Sequence, residues 1–229
     1  MATSGAKDFE LDVAEYIEEA YERCGLEMRT SYDARTTKRS LNLLLADWAN
    51  RGLNQWTIQQ NSITMTEGTL SYDLDSTNPK AVIDVVDAFL RRTTDGKDTD
   101  YSMQRIGRAE YANIPNKSSK ARPIQIFVDK QITPKMYVWP APENSTDVIY
   151  VNCLTRMDDA DGLVNTVEMP FRFYPALAAG LAYYLSLKKA PDRIDILKGL
   201  YEEEFRRAAD TDEDRVSVQI SPALRSYTS

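Results

Sequence analysis

The sequence contains no histidine. That absence removes catalytic triads built on imidazole, histidine-ligated metal sites and the side chain that most readily moves protons near neutral pH. Only two cysteines occur, Cys24 and Cys153, too few for a disulfide framework. One falls on an apolar helical stripe and the other in an apolar strand-like run, so both read as small buried hydrophobes. The nine glycines are scattered. Neither G-x-G-x-x-G nor G-x-x-x-x-G-K-[ST] occurs, and phosphate cradles of those types need closely spaced glycines to turn backbone N–H groups toward the anion. Long apolar runs are missing too. The longest, residues 174–187, is broken by Gly180 and Ser186 and falls short of the ~18 residues that suggest a membrane span. The first seven residues are small and polar, without the apolar centre of a signal peptide, so synthesis and folding in a cytoplasm are expected.

The 229 residues suit one large domain, or one domain carrying an inserted lobe. At 42% hydrophobic and 28% charged the chain has a globular composition. The net charge is −7, which argues against general nucleic-acid binding, since that needs a positive field. The charge is uneven. Residues 1–50 hold six basic and ten acidic groups, whereas 91–135 hold ten basic and five acidic groups.

Periodicity divides the chain into three parts. Phe9, Val13, Ile17, Ala20 and Cys24 form one helical face over residues 8–24, with Asp8 as cap and Gly25 as stop. Leu41, Leu44, Leu45 and Trp48 mark a second helix over about 33–50, ended by Gly52. The period then shortens. Ile63 and Met65, then Leu70, Tyr72 and Leu74, alternate around Glu67-Gly68, a hairpin pattern. Residues 81–90, 124–128, 136–139 and 148–154 read as further strands, with a turn at Asp95-Gly96 and a short helix at 108–113. Helices return at 174–185, apolar nearly all round and so expected to be the most buried. The last helix opens at Pro191 and carries Ile194, Leu197, Tyr201, Phe205 and Ala208 on one stripe. The expected class is α+β. Residues 8–54 and 168–211 form a four-helix bundle, 55–167 an inserted, mainly antiparallel β lobe projecting from it, and 212–229 an extended tail.

Candidate chemistry is thin. Asp159, Asp161, Gly162 and Glu168 match part of a calcium loop, but Met157 stands where its first oxygen ligand belongs, so a polar turn is the expectation. Glu202, Glu203 and Glu204 lie off the apolar stripe of their helix and lack the buried setting of a catalytic acid. No serine or cysteine has a base beside it. No cofactor, metal or catalytic residue is assigned. In the basic section, Lys117, Lys120, Arg122 and Lys130, with Arg91, Arg92, Arg105, Arg108 and Lys135, are either a contact for phosphate or an acidic protein, or ordinary solvated charge. The loop 116–120 reads as mobile and suited to ordering against a partner. In the tail, Val216, Val218, Ile220, Pro222 and Leu224 suit strand addition to a neighbour; docking on the chain's own subunit, or disorder, stays open.

The series ERCG, SLNLLLADWANRGLNQW, TEGTLSYDL, AEYANIPNKSSKARP, WPAP, PALAAGLAYYLSLK and YEEEFRRAADTDEDR, spanning 8–215, resembles the head–tail adaptor (connector) proteins of tailed bacteriophages, especially short-tailed ones. Ala121 departs from the glycine that often precedes Arg-Pro there. The resemblance implies a virion protein at the head–tail interface that binds the portal protein as a ring, usually dodecameric. It closes the capsid exit and offers a platform to a downstream tail (nozzle) protein. DNA passes through the lumen without sequence readout, and no membrane and no enzymatic residues are involved. A tail-completion protein further from the capsid, or a carboxylate-based cell-wall hydrolase, remains an alternative.

Overall fold

The computed structural model describes residues 9–52, 55–77 and 80–212. Helix α1 (Val13–Arg23) opens on a reciprocal cap. Asp12 accepts from the Glu15 backbone N–H at 2.8 Å, and the Glu15 carboxylate accepts from the Asp12 N–H at 2.9 Å. The free N–H groups of Val13 and Ala14 donate to the carbonyls of Asn165 and Leu163, which ties this helix start to the chain just before the C-terminal helices. The cap expected at Asp8 lies outside the described residues, and the helix starts later than the sequence suggested. Phe9 precedes it and is 72% exposed rather than buried. The Asp12–Glu15 pair explains this, because it satisfies two helix-start donors where a lone Asp satisfies one. Helix α2 (Ser31–Asn50) instead starts two residues earlier than expected, again on a reciprocal cap, with Thr30 as cap and Asp33 as its partner.

The chain then enters the β part through β1 (Ile58–Thr64), β2 (Ser71–Asp73) and the short α3 (Leu74–Thr77). The long β3 (Val82–Thr94) turns at Asp95-Gly96, both at positive φ, into β4 (Lys97–Ser102). After β5 (Gln104–Arg105) and α4 (Arg108–Ala112) come β6 (Gln125–Asp129), β7 (Lys135–Trp139) and β8 (Val148–Thr155). One sheet has the order β1-β8-β3-β4 and is antiparallel throughout. The other has the order β2-β7-β6-β5, antiparallel except for the β5–β6 pair. Their inner faces share one apolar cluster that includes Val85, Leu90, Ile126, Val138, Ile149 and Val151, so the two sheets make a sandwich.

The hairpin expected around Glu67-Gly68 does not form. β1 pairs with β8 and β2 with β7, in different sheets. The chain does turn there, with Gly68 at φ +74° and its N–H donating to the Pro142 carbonyl. The turn carries it from one sheet to the facing one. Ile63 and Met65 are buried as their alternation implied, and buried Leu74 begins a helix, not a strand end.

Helices α5 (Tyr174–Lys189) and α6 (Ile194–Asp212) close the described chain. α1, α2 and α6 all pack on α5, whose Ala176–Ala182 run is buried all round. Its many small residues let neighbours approach: at Gly180, the Tyr201 ring and the tip of Leu44 fill the space a side chain would occupy. Trp48 donates its indole N–H to the Tyr201 hydroxyl at 2.8 Å and packs on Phe173 and Phe205. Cys24 and Cys153 are buried in the helical and sandwich cores and form no disulfide. The mixed α+β class expected from the sequence is what the chain adopts.

Candidate functional site

Loop 113–124 precedes β6 and carries Lys117, Lys120 and Arg122, while Lys130 follows the same strand, ~16 Å of strand away. Lys117 donates to the carbonyls of Ala112 and Ile114, both at 3.1 Å, and lies over the Tyr111 ring. Lys120 pairs with Glu67 at 2.7 Å. That hydrogen bond lowers the Glu67 pKa below the usual carboxylate value. Arg122 lays its guanidinium 3.9 Å from the centre of the Tyr101 ring. Lys130 pairs with Asp84 at 2.8 Å, which also takes Arg105 at 2.7 Å.

Most of the other cations of the section behave alike, whereas Lys97 and Lys135 make no ion pair among the described residues. Arg91 donates through Nε and Nη2 to both Asp100 oxygens, at 2.7 and 2.8 Å, and covers the Tyr150 ring. This lowers the Asp100 pKa and raises that of Arg91, the hydrogen bond being the leading cause in each case. Arg92 grips Asp147, whose side chain is only 3% exposed, and Glu143. Arg108 pairs with Asp129. Most of the local excess of positive charge is thus paired within the sandwich, so an outside anion must compete with those partners. The loop 116–120 is hydrogen-bonded to the segment after β7. Trp139 Nε1 donates to the Asn116 carbonyl, and Ala121 and Ala141 bridge the loop to the segment after β7.

The acidic candidates are similarly occupied. Arg156 takes Asp159, Lys80 takes Glu168 and Asp158, and Lys38 Nζ donates to the Asp161 carbonyl. The 157–168 segment is therefore a strap between β8 and α5. Glu202 pairs with Arg51 at 3.0 Å, while Glu203 and Glu204 share Arg207. Among the described residues no group of three or more Asp, Glu or Cys is placed to hold a metal ion, and no helix is long and apolar enough to cross a membrane. Val216, Val218, Ile220, Pro222 and Leu224 lie outside the described residues.

Exposed apolar side chains stand on the β lobe, Ile132 most of all, and on the helices, where two hollows add to them. An open groove between α1 and the start of α5 has a volume of about 450 Å³. It is floored by Leu11, Tyr174, Pro175 and Ala178 and edged by Glu15, Glu18, Glu19 and Glu22, with Arg23 paired to Glu19 at one end. A second hollow, about 470 Å³, lies where α2 begins, lined by Met28, Ala34 and Leu163 and edged by Arg29, Arg35 and Lys38. Large exposed side chains stand beside both: Phe9 at the first and Tyr32, 65% exposed, at the second. The usable signal in the sequence was Tyr32, Arg35, Arg39 and Leu43, an apolar and basic stripe on the side of α2 away from its buried leucines.

Comparison with curated proteins finds no match. A family model described as SU10 adaptor protein matches residues 7–225, nearly the whole chain. This family consists of structural proteins of the virion that join phage head to tail by contacting portal and tail proteins. The chain therefore belongs to the SU10 adaptor protein family of phage head–tail adaptors.

Proposed function

We propose that the chain assembles as a ring, dodecameric in number, beneath the portal of a short-tailed phage, where it closes the capsid exit and presents a platform to the downstream tail protein. Residues 8–54 and 168–211 form a four-helix bundle that makes the ring wall. Residues 55–167 form a lobe that reaches toward the tail. Residues 212–229, with Val216, Val218, Ile220, Pro222 and Leu224, dock on the portal or on a neighbouring copy by strand addition. The observation that carries this reading is the family match over 7–225.

DNA is passing cargo in this scheme. Each phosphate contact adds salt-dependent affinity and slows passage. The charge of −7 and the internal pairing of Lys120, Lys130, Arg91 and Arg92 keep such contacts few. Lys117, Lys120, Arg122 and Lys130 shape the lobe surface offered to the tail protein, since any outside anion must compete with their present partners. The test is mass and symmetry by negative-stain imaging and mass photometry, with and without the purified portal. Rings seated on the portal are expected. A chain that ignores the portal at high concentration overturns the reading, and unchanged portal binding after deletion of 216–229 removes the tail from it.

A further inference from the structure

We propose that neighbouring copies of the chain meet through their helices, the acidic face of α1 on one copy seating against the basic face of α2 on the next. This assigns surfaces to the ring proposed above and rests on it.

On α1, Glu15, Glu18 and Glu22 follow one another at helical spacing, opposite buried Val13, Ile17 and Ala20. Glu18 and Glu22 make no ion pair among the described residues. Beside them lies the groove floored by Leu11 and Tyr174, with Phe9 standing over it 72% exposed. On α2, Arg35 and Arg39 also make no ion pair among the described residues. They lie between Tyr32 and Leu43 on one stripe, 65% and 55% exposed, next to the hollow lined by Met28 and Leu163.

The two faces match in kind. Each has an apolar hollow of similar volume, about 450 and 470 Å³. An exposed aromatic stands beside each, and their charges are opposite. The two hollows share no lining residue, although the faces adjoin where Met28 also borders Glu18 and Glu22; unlike faces on one chain suit the head-to-tail contact from which rings are built. Apolar contact supplies most of the affinity in such an interface, while the charges set register and reject acidic-on-acidic or basic-on-basic pairing. The sandwich is a poorer candidate, because Arg91, Arg92, Arg105 and Lys120 are already satisfied within it. Unpaired opposite charges are instead left on two faces of the same chain, which favours a second copy as the occupant.

The experiment uses two double variants of the full chain, Glu18→Lys with Glu22→Lys and Arg35→Glu with Arg39→Glu. All four positions are exposed, and far-UV circular dichroism checks that the fold is kept. Sedimentation velocity over a concentration series at low salt is expected to show wild-type self-association that weakens as salt rises. Each variant alone should associate about tenfold more weakly or worse, because like charges then face each other. An equimolar mixture should regain association, since every contact between unlike variants again pairs opposite charges. Wild-type strength in either variant alone, no recovery in the mixture, or a wild type that stays monomeric at its solubility limit would each overturn the proposal. So would loss of duplex DNA binding in the arginine variant with unchanged sedimentation, which assigns that face to nucleic acid. Portal binding measured in parallel separates the two readings: if it persists, only the assignment of faces falls, and if the wild type never binds portal, the adaptor reading falls.

Discussion

Two helical glycines should respond oppositely to the same substitution. Alanine gains about 1 kcal/mol over glycine in a helix interior, largely by restricting the unfolded chain. At Gly199 on α6 an added Cβ meets nothing within 4 Å, so Gly199→Ala should stabilise by about 0.5–1 kcal/mol. At Gly180 on α5 the same carbon would sit 2.8 Å from Tyr201 Cε2 and 2.9 Å from Leu44 Cδ2. The Tyr201 ring cannot easily retreat. Its hydroxyl accepts from Trp48, Arg51 covers it at 4.9 Å, and Tyr183 stacks near it. Overpacking of this kind costs about 1–3 kcal/mol, which exceeds the propensity gain. Gly180→Ala should therefore lose about 1 kcal/mol net, a fall of about 2–4 °C in Tm for a chain of this size. Urea and thermal unfolding of both variants beside the wild type measure the difference. A Gly180→Ala protein as stable as Gly199→Ala would refute the idea that α2, α5 and α6 converge on a site with no room for a methyl group.

Tyr201→Phe strips the acceptor from the buried Trp48 indole and should cost about 1–3 kcal/mol in urea unfolding; a loss near zero would mean the indole finds another partner. Arg92→Met leaves Asp147 buried without its cation and should cost about 3 kcal/mol, read as a shift of the urea midpoint at pH 7; an unchanged midpoint would contradict the assigned role of the pair. Asp33, Glu67, Asp84 and Asp100 all have pKa values below the ordinary carboxylate range. For Asp33, Glu67 and Asp100 the leading cause is a hydrogen bond from Lys189, Lys120 or Arg91, whereas at Asp84 burial opposes the lowering and bonds from Lys130 and Arg105 outweigh it. Because the folded values are depressed, their stabilisation is full above about pH 4 and fades as pH falls through the folded values. Asp100→Asn should flatten that acid slope, and an identical slope in both proteins would speak against the Arg91 pair as a contributor.

Much of this architecture was legible in the sequence, and the parts that were not have physical reasons. The α5 pattern was readable because an all-round apolar helix has one stable location, the centre. Strand alternation located the inward faces of residues 63–65 and 148–154 but not their partner. Period-two patterning fixes which side is buried and is silent about which strand lies alongside. The start of α1 lies past Asp8 because Asp12 and Glu15 form a reciprocal cap, which outranks a lone aspartate. Charge was the least legible property. Arg92 and Asp147 lie 55 residues apart in sequence, and Lys120 and Glu67 lie 53 apart, so a regional count registered cations whose counterions folding brings in from elsewhere. The exposed stripe on α2 is masked in the sequence by the stronger apolar pattern of Leu41, Leu44, Leu45 and Trp48.

The pairing of β1 with β8 has a consequence for the sequence of events during folding. The helical core needs Val13 and Tyr201 together, and so cannot be completed until nearly all of the chain is available. The strands that leave and re-enter that core run side by side from Ile58↔Leu154 to Thr64↔Val148, sealed at their base by the Thr155 hydroxyl donating to the Thr57 carbonyl. Once they pair, the gap between α2 and α5 shrinks from about a hundred residues to a few tens or less, lowering its closure cost by about 1–2 kcal/mol. The sandwich then acts as a clasp that delivers the second half of the helices to the first. Pulse-labelled hydrogen exchange should find β8 amides protected before those of α5; the reverse order would show that the helices find each other unaided.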